Sequence, residues 1–311
     1  MSTSLSTVQQ SPISVVTTDP AASSSRVADY VELCKPRILT MALVAMAVAG
    51  VTAASGIPNW IILTHALIGT TFVAASSSIF NQVFERFADA EMARTRNRPI
   101  AAGRIRPVEA LLLGAVLLVI GTAYLFATTN LSVAALALAT WILYALVYTP
   151  LKRITVLNTV VGAIPGALPI WIGWTAASGG TIDQRGVWLF ATLFVWQFPH
   201  FMAIAWLYKT QYANAGYRMM STDDDRGVWS GITAVVGAAI LLVLVLAAPQ
   251  FGMGSLLSVV PAALLAICQL GYSFAFLQNT NDFTARRLLR ASLIFLPAHL
   301  IIITLSQFGI L

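Results

Sequence analysis

Charge is scarce in this sequence. Only 10% of its 311 residues are Asp, Glu, Lys or Arg, where an average soluble domain carries about 25%. With 58% of residues hydrophobic and a mean hydropathy of +0.80, the shortage excludes both a disordered chain and a soluble globular enzyme. Cysteine is scarce too. Cys34 and Cys268 stand far apart without a CxxC partner, which excludes a disulfide scaffold and leaves both as structural residues. Ten-residue alternation does not recur along the chain, so a membrane β-barrel is excluded. Residues 1–25 have no basic stretch leading into an apolar one and are not Arg-rich. Neither a secretory signal nor a transit peptide is expected there. Ser, Thr, Ala and Pro dominate instead, and we expect a disordered tail over 1–25 and a single domain over 26–311.

What is abundant is apolar sequence in long runs. A helical span needs about 20 such residues, because about 30 Å of hydrocarbon is crossed at about 1.5 Å per residue. Nine segments qualify, near 38–54, 59–82, 107–127, 131–148, 155–176, 187–208, 228–248, 253–278 and 288–309. The fold class expected is therefore an all-α polytopic membrane protein with nine transmembrane helices. Pro and Gly interrupt the fifth segment (Gly162, Pro165, Gly166, Pro169, Gly173), as a bundle tolerates where neighbours satisfy the freed backbone. The net charge of +6 would suggest nucleic acid in a soluble protein. Here the basic residues sort by membrane face: 17 of the 18 fall in the tail and the even-numbered connections, Arg185 being the exception. The positive-inside rule then puts the N-terminus in the cytoplasm and the C-terminus outside, with no nucleic-acid partner. Eleven of the twelve acids fall on the same side.

The connection after the second segment holds an ordered cluster, NQVFERFADAEMARTRNRP from residue 81. Asn81, Glu85 and Asp89 are spaced i, i+4, i+8, which lines three oxygen-bearing side chains along one helix face. Hard cations such as Mg²⁺ take oxygen ligands, commonly one or two carboxylates plus substrate phosphate. Arg94 and Arg98 follow, and guanidinium groups fork onto phosphate oxygens. Metal ligands beside arginines suit a diphosphate; the plainer alternative is a basic loop on anionic lipid headgroups. A later connection carries Lys209, Tyr212, Asn214 and Arg218, then Asp223, Asp224 and Asp225. That acidic run is either a second metal site or a solvated charged loop.

These residues resemble a known motif. Asn81-x3-Glu85-x3-Asp89-x4-Arg94-x3-Arg98-Pro99 is similar to the first aspartate-rich motif of the UbiA superfamily of intramembrane prenyltransferases. Lys35-Pro36-Arg37, the YTPLKR stretch from Tyr148 to Arg153, and Trp196-Gln197-Phe-Pro-His200-Phe with Tyr212-x-x-Ala-Gly resemble its haem-farnesylating branch, over about residues 30–300. Two positions depart: Glu85 stands where the family has Asp, and Gln211 where the second motif has Asp.

The resemblance implies a nine-helix bundle whose cavity opens to the cytoplasm and to lipid. It implies farnesyl diphosphate and haem B as substrates and Mg²⁺ as cofactor, the product being a hydroxyethylfarnesyl haem. By the same carry-over, Asn81, Glu85 and Asp89 hold the metal, with Asp223–Asp225 as a second candidate. Lys35, Arg37, Arg94, Arg98, Lys152 and Arg153 bind diphosphate. His200, Trp196, Gln197 and Tyr212 meet the acceptor. His200 either ligates haem iron or orients a propionate, or else makes a helix-packing hydrogen bond; His65 and His299 are weaker candidates, His299 either lining the cavity or, as the favoured reading, packing between helices. The location implied is a bacterial inner membrane, or alternatively the mitochondrial one, and a haem A synthase or terminal oxidase would take the product. The competing readings are a prenyltransferase for an aromatic acid or quinone precursor, a transporter, for which the interrupted fifth segment argues, and a haem-delivery factor.

Overall fold

The computed structural model describes residues 25–54 and 56–311, which fold as helices without a strand among them. Residues 1–24, and with them nearly all of the expected tail, lie outside the described residues. Ser25 is not tail: its hydroxyl caps a short helix, α1 (Arg26–Leu33), by accepting from Ala28 N. The spans follow as α2 (Pro36–Ala53), α3 (Trp60–Glu91), α4 (Pro107–Thr128) and α5 (Leu131–Trp141). The last runs on through a π-helical stretch, Ile142–Tyr148, into the single turn α6 (Thr149–Leu151). Then come α7 (Asn158–Ala177), α8 (Gln184–Leu207), the short α9 (Lys209–Asn214), α10 (Val228–Leu246), α11 (Leu256–Gln278) and α12 (Asp282–Gln307). Nine helical stretches among the described residues are long and apolar enough to cross a membrane, one for each expected segment.

The ends differ where charges find partners. The second segment was expected to stop near residue 82, but α3 continues to Glu91. Glu85 and Asp89, which look like the end of a span, are buried against cations and stay in the helix. At 32 residues α3 is about 48 Å long against about 30 Å of hydrocarbon. Its last turns therefore stand at the rim of the bundle.

The most deeply buried span is α7, which packs against α2, α5 and α8. Pro165 and Pro169 lie inside it, yet the helix is continuous. The discontinuous span that favoured a transporter is absent. Small residues let backbones approach: a Cβ on Gly173 would overlap the carbonyl oxygen of Met46 on α2. Gly173→Val should therefore lower the melting temperature in detergent, by the overpacking cost of about 1–3 kcal/mol. Gly271→Ala on α11, where a Cβ meets open space, should not lower it. Equal effects of the two would sink this account of the α2–α7 crossing.

Candidate active site

The expected row is intact. Asn81, Glu85 and Asp89 share one face of α3 near its end and are all buried. Each has drawn a partner from elsewhere in the chain. Lys35 Nζ donates to Asn81 Oδ1 at 2.6 Å, and the Asn81 amide donates to Thr149 Oγ1 at 3.0 Å. Lys152 Nζ lies 2.5 Å from Glu85 Oε1. Both oxygens of Asp89 accept from Arg98 Nη1, at 2.8 and 2.7 Å, and the same guanidinium is 3.9 Å from Glu85. Three cations from three segments thus close on two carboxylates and an amide.

Local structure explains how they reach. Lys35 precedes Pro36, the first residue of α2, and has φ of +49°, left-handed backbone that non-glycine residues rarely adopt. The strained turn swings its side chain to Asn81. Burial, with the Arg98 guanidinium nearby, pushes the Lys35 ammonium down to about 7. Lys152 follows the π-helical stretch. Pro150 has no N–H for the i−4 carbonyl and would crowd it in an α-helix. The backbone widens instead, and Thr149 N–H donates to Tyr144 O, five residues back. Lys152 Nζ then sits 4.5 Å from the Tyr148 ring centroid. Burial works against the Lys152 charge, but the Glu85 carboxylate and the Tyr148 and Tyr144 oxygens hold its pKa well above the usual lysine range.

Around this closed core stands a more open rim. Arg94 is exposed, lies over the Tyr208 ring at 4.4 Å and donates to Tyr212 Oη at 3.1 Å. Arg153 is exposed with its guanidinium 6.0 Å from the Tyr217 ring. Arg37 is exposed and makes no hydrogen bond or ion pair with another described residue. Tyr217 is the site residue that spacing could not reveal. It is buried, packs with Ala88, Met92 and Tyr212, has its ring 5.9 Å from Lys152 Nζ, and its hydroxyl has no hydrogen-bond partner among the described residues. Burial, with the Glu85 carboxylate, pushes its phenol up.

The acidic run does not converge. Asp223 pairs with Arg218 at 3.2 Å, Asp224 accepts from Ser230 N at 2.8 Å in the first turn of α10, and Asp225 is fully exposed, 3.6 Å from Lys209. Of the two readings of this run, a second metal site or a solvated charged loop, the described residues show three carboxylates each with a separate partner rather than one gathered cluster. Gln211 accepts from Arg94 N at 3.3 Å and fastens one connection to another.

The acceptor residues divide. Tyr212 lies at the end of the bundle that carries the α3 row, beside Arg94. Gln197 donates to Ala163 O at 2.9 Å and clamps α8 to α7; Trp196 donates to Ser292 O at 2.9 Å and clamps α8 to α12. His200 stacks on Trp196 at 4.9 Å, and its Nδ1 is 2.9 Å from Ser292 Oγ, the helix-packing bond weighed above. Its Nε2 has no hydrogen-bond partner among the described residues. His65 Nδ1 lies 2.6 Å from Tyr124 Oη.

The α3 row fits a hard cation through its donors. Among the described residues no three His, Cys, Asp or Glu side chains gather as a metal cluster. Two carboxylates and an amide oxygen still suit Mg²⁺ when phosphate oxygens and water complete the shell.

Comparison with known proteins agrees with this geometry. The UbiA prenyltransferase family model matches residues 42–296. A protoheme IX farnesyltransferase of Rhodopirellula baltica is 40% identical over 282 residues, covering 88% of this chain and 98% of that protein. Among solved structures, a digeranylgeranylglyceryl phosphate synthase superposes with a TM-score of 0.77 at 16% identity, over 91% of this chain and 99% of that one. A UbiA homologue from Archaeoglobus fulgidus bound to GPP and Mg²⁺ does so with 0.62 at 17%, over 88% and 99%. The family match, the near full-length relative and the shared fold together establish that this chain belongs to the UbiA prenyltransferase family.

Proposed function

We propose that this protein transfers a farnesyl group from farnesyl diphosphate to the 2-vinyl group of haem B, with addition of water, to give the hydroxyethylfarnesyl side chain of haem O. The observation that carries the diphosphate half is the α3 row closed on Lys35, Lys152 and Arg98 at one end of an apolar bundle. The Rhodopirellula relative, by its name and coverage, supports the haem acceptor. The basic asymmetry supports a cytoplasmic rim in a bacterial inner membrane.

The bundle takes the farnesyl chain and the flat apolar body of haem, and the rim takes the diphosphate. Mg²⁺ held by Asn81, Glu85 and Asp89 would supply positive charge to the phosphate oxygens. Lys152 and Arg98 then exchange their carboxylate partners for phosphate oxygens, and a polyanion holds Lys35 in its charged form. Arg37, Arg94 and Arg153 screen the outer phosphate. The farnesyl C–O bond breaks and its electron pair leaves with diphosphate. The vinyl π electrons form the new C–C bond to the allylic cation, water adds to the carbocation left beside the ring, and one proton is released.

Tyr217 Oη donates to the same diphosphate in this reading. Tyr217→Phe should raise KM for farnesyl diphosphate about tenfold or more, the worth of one hydrogen bond to a charged group, with kcat little changed; an unchanged KM removes it from the site. His200→Ala should weaken haem binding, read from the Soret band of the titrated protein, and leave diphosphate binding intact. The assignment itself is tested by mass analysis of haems extracted from cells with and without this chain. Prenylation of 4-hydroxybenzoate by its membranes, with haem B untouched, would move the acceptor to the aromatic acids.

A further inference from the structure

Donor ionisation makes no use of a set of polar side chains buried between α8, α11 and α12. His299 is 3% exposed, ringed by Phe295 at 5.2 Å and Trp188 at 6.0 Å, and neither imidazole nitrogen has a hydrogen-bond partner among the described residues. Gln269 on α11 is fully buried, and both ends of its amide are without a partner among the described residues. Lipid offers such groups nothing, and buried water is their usual partner.

Space for water exists. His299 lines a cavity of about 10 Å³ together with Trp188, Ser258 and Ala262, enough for about one water. Met253 and Ile303 line both this cavity and a larger one of about 310 Å³. The larger cavity is walled by Thr52, Ser255, Ser306 and Gln307, at the end of the bundle opposite the α3 row.

The polar positions fall in register. Ser292, His299 and Ser306 are spaced i, i+7, i+14 and so form one stripe along α12. The three-residue connection 279–281 makes α11 antiparallel to α12, and Ala262 shares the small cavity with His299. Two turns further on each helix, about 10 Å, Gln269 reaches the level of Ser292, whose hydroxyl meets His200 Nδ1.

We propose that this stripe is a water file, which admits water from the end opposite the diphosphate site to the acceptor pocket beside His200 and supplies the molecule that completes the product. The proposal rests on the farnesyl-to-haem reading. The water oxygen forms its bond to the carbocation beside the porphyrin ring, and the oxonium proton leaves along the same file. Entry from this end keeps water from the allylic cation at the donor end, where capture would yield only the free prenyl alcohol.

The test uses full-length protein in nanodiscs with farnesyl diphosphate, haem B and Mg²⁺, reading diphosphate release and product mass. His299→Phe, which keeps ring packing and removes the polar atoms, should leave diphosphate release near the parent rate. It should shift the product about tenfold from the hydroxylated form toward the alkene formed by proton loss, lighter by one water. A second variant, Ser306→Cys in a Cys34→Ser, Cys268→Ser background, is labelled after folding with a bulky thiol reagent, and labelling should cause the same shift. An unchanged product ratio in both overturns the file. X-ray hydroxyl-radical footprinting of the parent reads hydration without turnover. Met253 and His299 should oxidise, and Met46, buried in the packed core, should not. Protection of all three alike overturns the file even if haem proves not to be the acceptor, an outcome that absent diphosphate release with haem B would reveal separately.

Discussion

An Asp89→Ala variant should lose about 10²–10³ or more in prenyl transfer while still folding in detergent. Asp89 is 1% exposed and takes both hydrogen bonds of one Arg98 nitrogen. Its removal deletes an oxygen donor from the row and leaves Arg98 without its main partner. The Arg98 side chain is 24% exposed, so water can take over part of its solvation. The stability loss should then fall below the about 3–5 kcal/mol of a fully buried broken pair. Thermal unfolding and diphosphate release on the same preparation separate the two effects. Turnover near that of the parent protein would falsify the role given to Asp89, and with it the metal-binding reading of the row.

Lys152→Met should cost more in stability. Glu85 and Lys152 are 7% and 13% exposed at 2.5 Å, so the full penalty of about 3–5 kcal/mol applies to the carboxylate left behind. The double variant Glu85→Gln, Lys152→Met removes both charges and should regain most of that stability, because a matched polar and apolar pair strands no ion. It should not regain turnover, since both the proposed metal ligand and the proposed phosphate-binding ammonium are gone. Recovery of activity together with stability would make the pair purely structural. No recovery of stability would mean that Lys152 acts mainly through the Tyr148 and Tyr217 rings beside it.

Much of this was legible in the sequence because hydrocarbon thickness imposes one length on every span. Nine apolar runs became nine helical spans among the described residues, and they were misjudged chiefly at ends where ionised residues are paired: α3 outlasts its apolar stretch to Glu91, and α12 begins at Asp282. The site was legible where it follows helical periodicity, as in Asn81, Glu85 and Asp89. It was illegible where the chain folds back. Tyr217 sits in a loop with no repeat to betray it, and Thr149 depends on a π-helical register that YTPLK does not announce. The acidic run Asp223–Asp225 left a metal site and a charged loop open, because adjacency in sequence does not say whether carboxylates meet in space; each has its own partner. His299, weighed between packing and cavity lining, sits against aromatic rings and also lines a small cavity, and only three-dimensional contacts reveal that its nitrogens have no partner among the described residues.

Lys35 remains the one non-glycine residue among those described with a left-handed backbone. Selection at that position is pulled two ways. Glycine or asparagine would relax the turn but offer no ammonium; arginine would keep a cation and the discomfort alike. If Lys35 grips the diphosphate as proposed, a lineage drifting there trades foldedness against that grip, and the entrance to the first span is where stability and chemistry are least free to evolve apart.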